Sequence, residues 1–217
     1  MTYESRKNRS DLIKILLIAG ILIGAFLLYK NRPVTHDAIA GLPDPVQGKM
    51  SAVQKLTAGD FNVTMEYVAS YHIDALVVHT KDYKGSSLPD LLSPKDLALA
   101  WGKVAEYNDR INFNWSQSGR WYSWYVSGKT DLSPIGGLGA ITPHSSNNHI
   151  IPADDNVKEK LKKVKAGDHV VIDGYLVNID GKKADGYTYT WHTSRIREDD
   201  GNGSCEIIYA TNLVVVN

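Results

Sequence analysis

One cysteine, Cys205, is all that this 217-residue chain carries. An intramolecular disulfide is therefore excluded, and so is a cysteine-based zinc cluster. A lone cysteine fits a reducing cytoplasm and equally an envelope protein that avoids pairing. Net charge is missing too, because 24 Lys plus Arg balance 24 Asp plus Glu. A general nucleic-acid binder needs surplus cations to displace phosphate counterions, so no nucleic-acid partner is expected. No cofactor is expected either.

What is present is an apolar run. Residues Ile15 to Tyr29 read "ILLIAGILIGAFLLY" without a charge. Extended to 12–29, with Lys14 snorkelling, the run approaches the ~20 residues that cross a bilayer. It predicts a transmembrane helix. A cleaved secretion signal competes with a retained anchor, and the anchor is preferred. The only small-x-small site, Ala38-Ile39-Ala40, lies far downstream of the run. Arg6, Lys7, Arg9 and Lys14 outnumber Lys30 and Arg32 on the other flank. That bias predicts residues 1–11 in the cytoplasm and the remainder in the periplasm of a bacterium, as a single-pass inner-membrane protein. The lipid bilayer is then one partner, through 12–29, and an envelope protein is the expected second.

Residues 30–49 hold Pro33, Pro43 and Pro45 and read as a tether; the soluble domain is expected over 50–217, with an optional sub-boundary near 143–166. "NVTMEYVA" and "IDALVVHT" read as two antiparallel strands turning at Ser70-Tyr71-His72. Ser93, Pro94 and Asp96 resemble the start of a helix running to about Tyr107. A second helix is expected from Pro152 to Lys165, on the stripe Val157, Leu161 and Val164. After Gly167 the chain reads as a meander of short strands, with Gly174 at a bulge. The expected fold class is α+β: a transmembrane helix, then antiparallel strands with about two helices, ending in a small SH3-like or OB-like curled sheet.

Three polar or aromatic clusters carry candidate chemistry. In "HSSNNHIIPADD", His144, His149 and Asp154 are zinc-compatible donors, though their spacing is not that of a helical zinc motif. The plainer expectation is a polar loop: Ser145, Asn147 and Asn148 form turns, Ile150 and Ile151 anchor it, and Asp154 and Asp155 serve the next helix. In "WHTSRIREDDGNGSCE", Arg195 or Arg197 can pair across a hairpin with Glu206. The reactive version makes Cys205 a nucleophile, with His149 or His192 as base and Arg195 stabilising a thiolate. In "NWSQSGRWYSWY", Trp121 and Trp124 are read either as a buried strand or as an aromatic platform for sugar or peptide, guided by Arg120 and Gln117.

The blocks "SPKDLALAWG", "SQSGRWYSW", "SSNNHIIPA" and "WHTSRIREDDGNGSCE" resemble the signature blocks of a group of uncharacterised bacterial membrane-anchored proteins. Those blocks follow S-x-N-x-H-x-I-P and W-x-[ST]-S-x-x-R patterns, and Thr193 stands here where serine is expected. The resemblance covers about Ser93 to Val216. It implies a bacterial origin and an anchored architecture, and no activity. If the blocks form one site, its residues are Ser145, Asn147, His149, Ser194, Arg195, Cys205 and Glu206.

The leading expectation is a periplasmic binding or assembly domain, with Arg120, Trp121, Trp124, Ser145 and Asn147 as binding residues. The alternative is a hydrolase or metal-dependent enzyme. It would use the His144–His149 loop and the Ser194–Cys205 hairpin, with His149, Ser194, Arg195, Cys205 and Glu206 as catalytic candidates.

Overall fold

The computed structural model describes residues 14–24, 37–196, 199 and 204–216. The chain divides into two units, residues 1–35 and 36–217. In the first unit, helix α1 covers residues 14–24. At 1.5 Å rise per residue this is about 16 Å, roughly half of the hydrocarbon thickness. No helix among the described residues is long and apolar enough to cross a membrane. The transmembrane helix expected over 12–29 is thus not found: the helix described there is residues 14–24, too short to span. Residues 12–13 and 25–29 lie outside the described residues, as do 1–11 and 30–36. Gly20 and Gly24 fall inside the described helix, and each costs it about 1 kcal/mol relative to alanine.

The second unit is dominated by strands. In chain order it contains β1 (Val46–Ala58), β2 (Phe61–Asp82), α2 (Leu88–Leu92), β3 (Lys95–Ala100), α3 (Gly102–Glu106), β4 (Ser116–Ser118) and β5 (Trp121–Ser123). There follow β6 (Ser145–Pro152), α4 (Asp155–Lys163), β7 (His169–Lys183), β8 (Thr188–Trp191) and β9 (Glu206–Val216). Seven strands form one mixed sheet in the order β1-β2-β3-β6-β9-β7-β8, and β2 also pairs with β7. That extra pairing closes a ring of β2, β3, β6, β9 and β7. Only β6 and β9 run parallel within it. The ring is a five-stranded Greek-key barrel of OB-like connectivity, with α4 bridging its third and fourth strands.

This overturns the α+β expectation and the separate curled sheet after Gly167. The barrel draws on the whole domain from Phe61 onward, and its C-terminal strands close on β2 and β6, not on one another alone. Pairing partners separated by about a hundred residues leave no local signature, which is why a strand meander looked self-contained.

β2 is one 22-residue strand, not two. Its odd residues from Phe61 to Ala75 are all buried, the period-two pattern of a half-buried strand. Its register against β7 shifts between Tyr67 and Ala69. Before the shift Met65 and Tyr67 face Ile179 and Val177; after it Ala69 and Tyr71 face Leu176 and Gly174. The bulge therefore lets two consecutive residues, Leu176 and Val177, both point inward, into different cores. Leu176 joins the barrel core with Ile73, Leu97, Leu99 and Ile208. Val177 joins a second core with Phe61, Met65, Leu88 and Ile207. Gly174 sits at another register shift, between β7 and β9. A Cβ there would lie 2.2 Å from the Tyr209 carbonyl oxygen, so only glycine allows the approach.

The helix expected from Pro94 to Tyr107 is instead β3 followed by the short α3. All six residues of β3 are buried. A strand covered on both faces loses its alternation, and Leu97, Trp101 and Val104 then mimic a helical stripe. The same covering hides β6: seven of its eight residues are buried, although its sequence reads as a polar loop. The helix expected over Pro152–Lys165 is observed as α4, with Asp154 accepting from the Val157 amide at 2.8 Å. The stretch read as a tether is packed where it is described, since Leu42 is buried and the Asp37 carbonyl accepts from Asn108.

Candidate aromatic cleft around Arg120

β4 and β5 form a hairpin whose turn is Gly119-Arg120. Both turn residues are left-handed, at φ 57° and 71°. This is the two-residue turn that matches strand twist, but arginine pays strain at such a position. The surroundings hold it there. The Arg120 amide donates to the Tyr83 hydroxyl at 3.0 Å, and its carbonyl accepts from Asn147 Nδ2 at 3.0 Å. Asn147 is fixed in turn: its Oδ1 accepts from Gln117 Nε2 at 2.5 Å, and Gln117 Oε1 lies 2.9 Å from His79 Nδ1.

The turn aims the Arg120 guanidinium at two carboxylates. Nη1 donates to Asp96 Oδ1 at 2.8 Å; Nη2 donates to Asp90 Oδ1 at 2.7 Å and to the Ser93 carbonyl at 2.8 Å. Its Cζ lies 3.8 Å from the centre of the Tyr83 ring and 5.5 Å from that of Trp191, both cation–π distances. Asp96 has 0% of its side chain exposed. On its far side His149 Nδ1 lies 3.0 Å from the same Oδ1. That contact is close enough for an ion pair but out of line for a hydrogen bond, and Asp96 Oδ2 has no hydrogen-bond partner among the described residues. The His149 ring packs on Trp191 at 4.7 Å.

Burial alone would raise the Asp90 pKa, but hydrogen bonds from Arg120 and Ser87 and the Arg120 charge outweigh it, and the net direction is down. The Tyr83 hydroxyl is pushed up to about 12, first by burial and then by the charge of Asp96. The Cys205 thiol is also pushed up to about 12; burial dominates, and Glu206, Asp96 and Asp199 add to it while a bond from Asn147 works against it.

These groups enclose a cleft of about 700 Å³, lined by Tyr83, Asp90, Arg120, Trp121, His149, Trp191 and Cys205 among others. Trp121, 46% exposed, forms its outer lip. A smaller cleft of about 270 Å³ lies across Trp121 and Cys205, against Trp124, Ser145 and Glu206.

Of the residues singled out in the sequence, Arg120, Trp121, His149, Asn147 and Cys205 come together here. Trp124 packs against the barrel core. The Ser145 hydroxyl donates to the Ile141 carbonyl at 2.7 Å, and the Ser194 hydroxyl donates to Asp199 Oδ2 at 2.5 Å. Arg195 is exposed, and its carbonyl accepts from Gln47 at 3.4 Å, whereas Glu206 is buried. Arg197 lies outside the described residues.

His144, His149 and Asp154 do not converge. His144 belongs to the turn before β6, with Nδ1 bonded to the Ala140 carbonyl at 2.8 Å. His149 is mid-strand, and Asp154 caps α4. No group of three or more His, Cys, Asp or Glu among the described residues is placed to hold a metal.

Sequence reasoning missed Tyr83, Asp90 and Asp96 as parts of the site. The available signal was Asp96 inside the otherwise apolar run "DLALA", where a charge needs a buried partner.

Comparison with known proteins returns no match: no family model, no curated protein and no solved structure. The OB-like connectivity therefore rests on the strand order itself.

Proposed function

We propose that the domain is a binding module whose ligand occupies the cleft beside Arg120, and that it is not an enzyme. The observation that carries this reading is the full commitment of the Arg120 guanidinium. Two carboxylates, a carbonyl and two aromatic faces fix it before any ligand arrives. Such a group builds a rigid wall and leaves Trp121 and Trp191 to supply contact area, the pattern of a preformed binding site. The nucleophile candidates are tied down: Ser194 is bonded to Asp199, and Cys205 is a half-buried thiol whose pKa is pushed up to about 12. The reading does not depend on where in the cell the chain resides.

The test is a thermal-shift screen of the full chain against soluble oligosaccharides and pools of dodecapeptides. A true ligand raises the melting temperature of the wild type and loses most of that effect in Trp121→Ala. A ligand whose stabilisation survives this substitution unchanged would overturn the assignment of the cleft.

One arrangement favours the second reading, a hydrolase. Asp96 faces His149, and His149 and Cys205 line the same cleft, an order that resembles a nucleophile–base–acid relay. Alkylation by iodoacetamide separates the two. A thiol with pKa pushed to about 12 reacts slowly at pH 7, and its rate keeps rising with pH beyond 9. Fast labelling that levels off near neutrality would favour the hydrolase.

A further inference from the structure

The cleft has an unusual wall. Tyr189, Thr190, Trp191 and His192 all line it. The first three belong to β8 and His192 follows it; consecutive residues of a strand point to opposite faces of a sheet, so three in a row border one cleft where it opens along the strand's edge. Among the described residues β8 is the last strand of the sheet and pairs with β7 alone. The hydrogen-bond phase of that pairing follows from its hairpin end. The Lys183 amide donates to the Tyr187 carbonyl at 2.9 Å and the Lys183 carbonyl accepts from Gly186 at 3.1 Å, a glycine-bulged turn that sets 183 in the bonded phase. In an antiparallel ladder bonded pairs recur every second residue. Tyr189 and Trp191, opposite Gly181 and Ile179, therefore bond to β7, while Thr188 and Thr190 direct their amides and carbonyls away from it. Among the described residues no further backbone bond satisfies those groups.

We propose that the cleft receives an extended polypeptide segment of a partner protein, which adds as a strand to the free edge of β8 and lays an apolar side chain against Trp121 and Trp191. The proposal rests on the cleft being the binding site and names its ligand class. Strand addition uses what is exposed there: main-chain donors and acceptors for affinity, and an aromatic wall for side-chain choice. β8 spans four residues, long enough to seat a short segment and too short to template an aggregate. Charge narrows the partner further. Asp90 and Asp96 face the single guanidinium of Arg120, two carboxylates to one cation. A neutral or basic segment is favoured over an acidic one. A glycan would use the aromatic wall but has no need of the unpaired edge.

The test selects a phage-displayed library of random dodecapeptides against the full-length chain and measures the enriched peptides by fluorescence polarisation. Each peptide is then N-methylated one residue at a time. Strand addition predicts losses of roughly tenfold at alternate residues, where an amide donates to β8, and little effect between them. Thr190→Pro should abolish binding yet keep the melting temperature close to wild type, because the Thr190 amide takes no part in the ladder to β7. Trp121→Ala, away from the strand, should also weaken binding. Equal sensitivity at neighbouring residues, or none anywhere, overturns strand addition. If no peptide is enriched while a neutral oligosaccharide binds in a Trp121-dependent way, the ligand class is wrong and the cleft assignment stands. If neither class binds, both fall.

Discussion

Removing the Arg120 guanidinium strands two carboxylates, one of them fully buried. Breaking a buried pair by deleting one partner costs about 3–5 kcal/mol, because the remaining charge keeps its desolvation without compensation. Arg120→Leu should therefore lower unfolding free energy by that order in urea melts, and Asp96→Asn added to it should recover part of the loss. Additive losses in the double variant would show that the two residues do not act as a pair. Asp90 gives a pH signature. Its folded pKa lies below the usual carboxylate value, so its stabilisation is complete above about pH 4 and disappears as pH falls through the folded value. The stability difference between wild type and Asp90→Asn should hold from pH 7 to about 4.5 and then shrink on acidification. A difference that grows below pH 4 would contradict the assigned pairing. Little of this was legible in the sequence. Arg120 and Trp121 stood out by residue type, but the choice of Asp96 as partner depends on β3 lying beside the hairpin, which no local pattern announces.

At the scale of the element, the bulges decide the architecture. The Val68 region lets β7 switch its inward parity, and Gly174 lets β7 and β9 cross at close range. Gly174→Ala would force a Cβ to within 2.2 Å of a backbone oxygen. That clash cannot be relieved by a rotamer change, so a loss of about 3 kcal/mol is expected, visible in thermal denaturation. An unchanged melting temperature would mean that the strands do not meet as described. Here the sequence was partly readable. Gly174 within an apolar strand pointed to a bulge, and α4 was marked by Asp154 and its Val157, Leu161 and Val164 stripe. β3 and β6 were not, because burial on both faces erases the period on which strand recognition depends. β6 added a second disguise: Ser, Asn and His are the usual residues of loops, yet inside the protein Asn147 accepts from Gln117, Asn148 donates to the Leu97 carbonyl and to Ser146, and His149 lies against Asp96.

At the scale of the whole molecule, closure of the ring is the organising fact. β2 meets β3 along one part of its length and β7 along another, and each pairing joins segments far apart in the chain. Closure removes the edges of the barrel strands and leaves β1 and β8 as the outer strands of the sheet. The aromatic cleft forms where the β8 edge faces α2 and the β4–β5 hairpin. Composition foretold none of this, because β order is set by long-range pairing. Length and composition bounded only the size, one compact domain or two small ones beside an apolar segment, with no intramolecular disulfide. Native-state hydrogen exchange along β8 tests the central claim most directly. In the free protein the amides of Tyr189 and Trp191 should be protected while those of Thr188 and Thr190 exchange freely, and a bound peptide should slow the second pair. Protection of Thr190 equal to that of Tyr189 without ligand would contradict an open edge at the cleft.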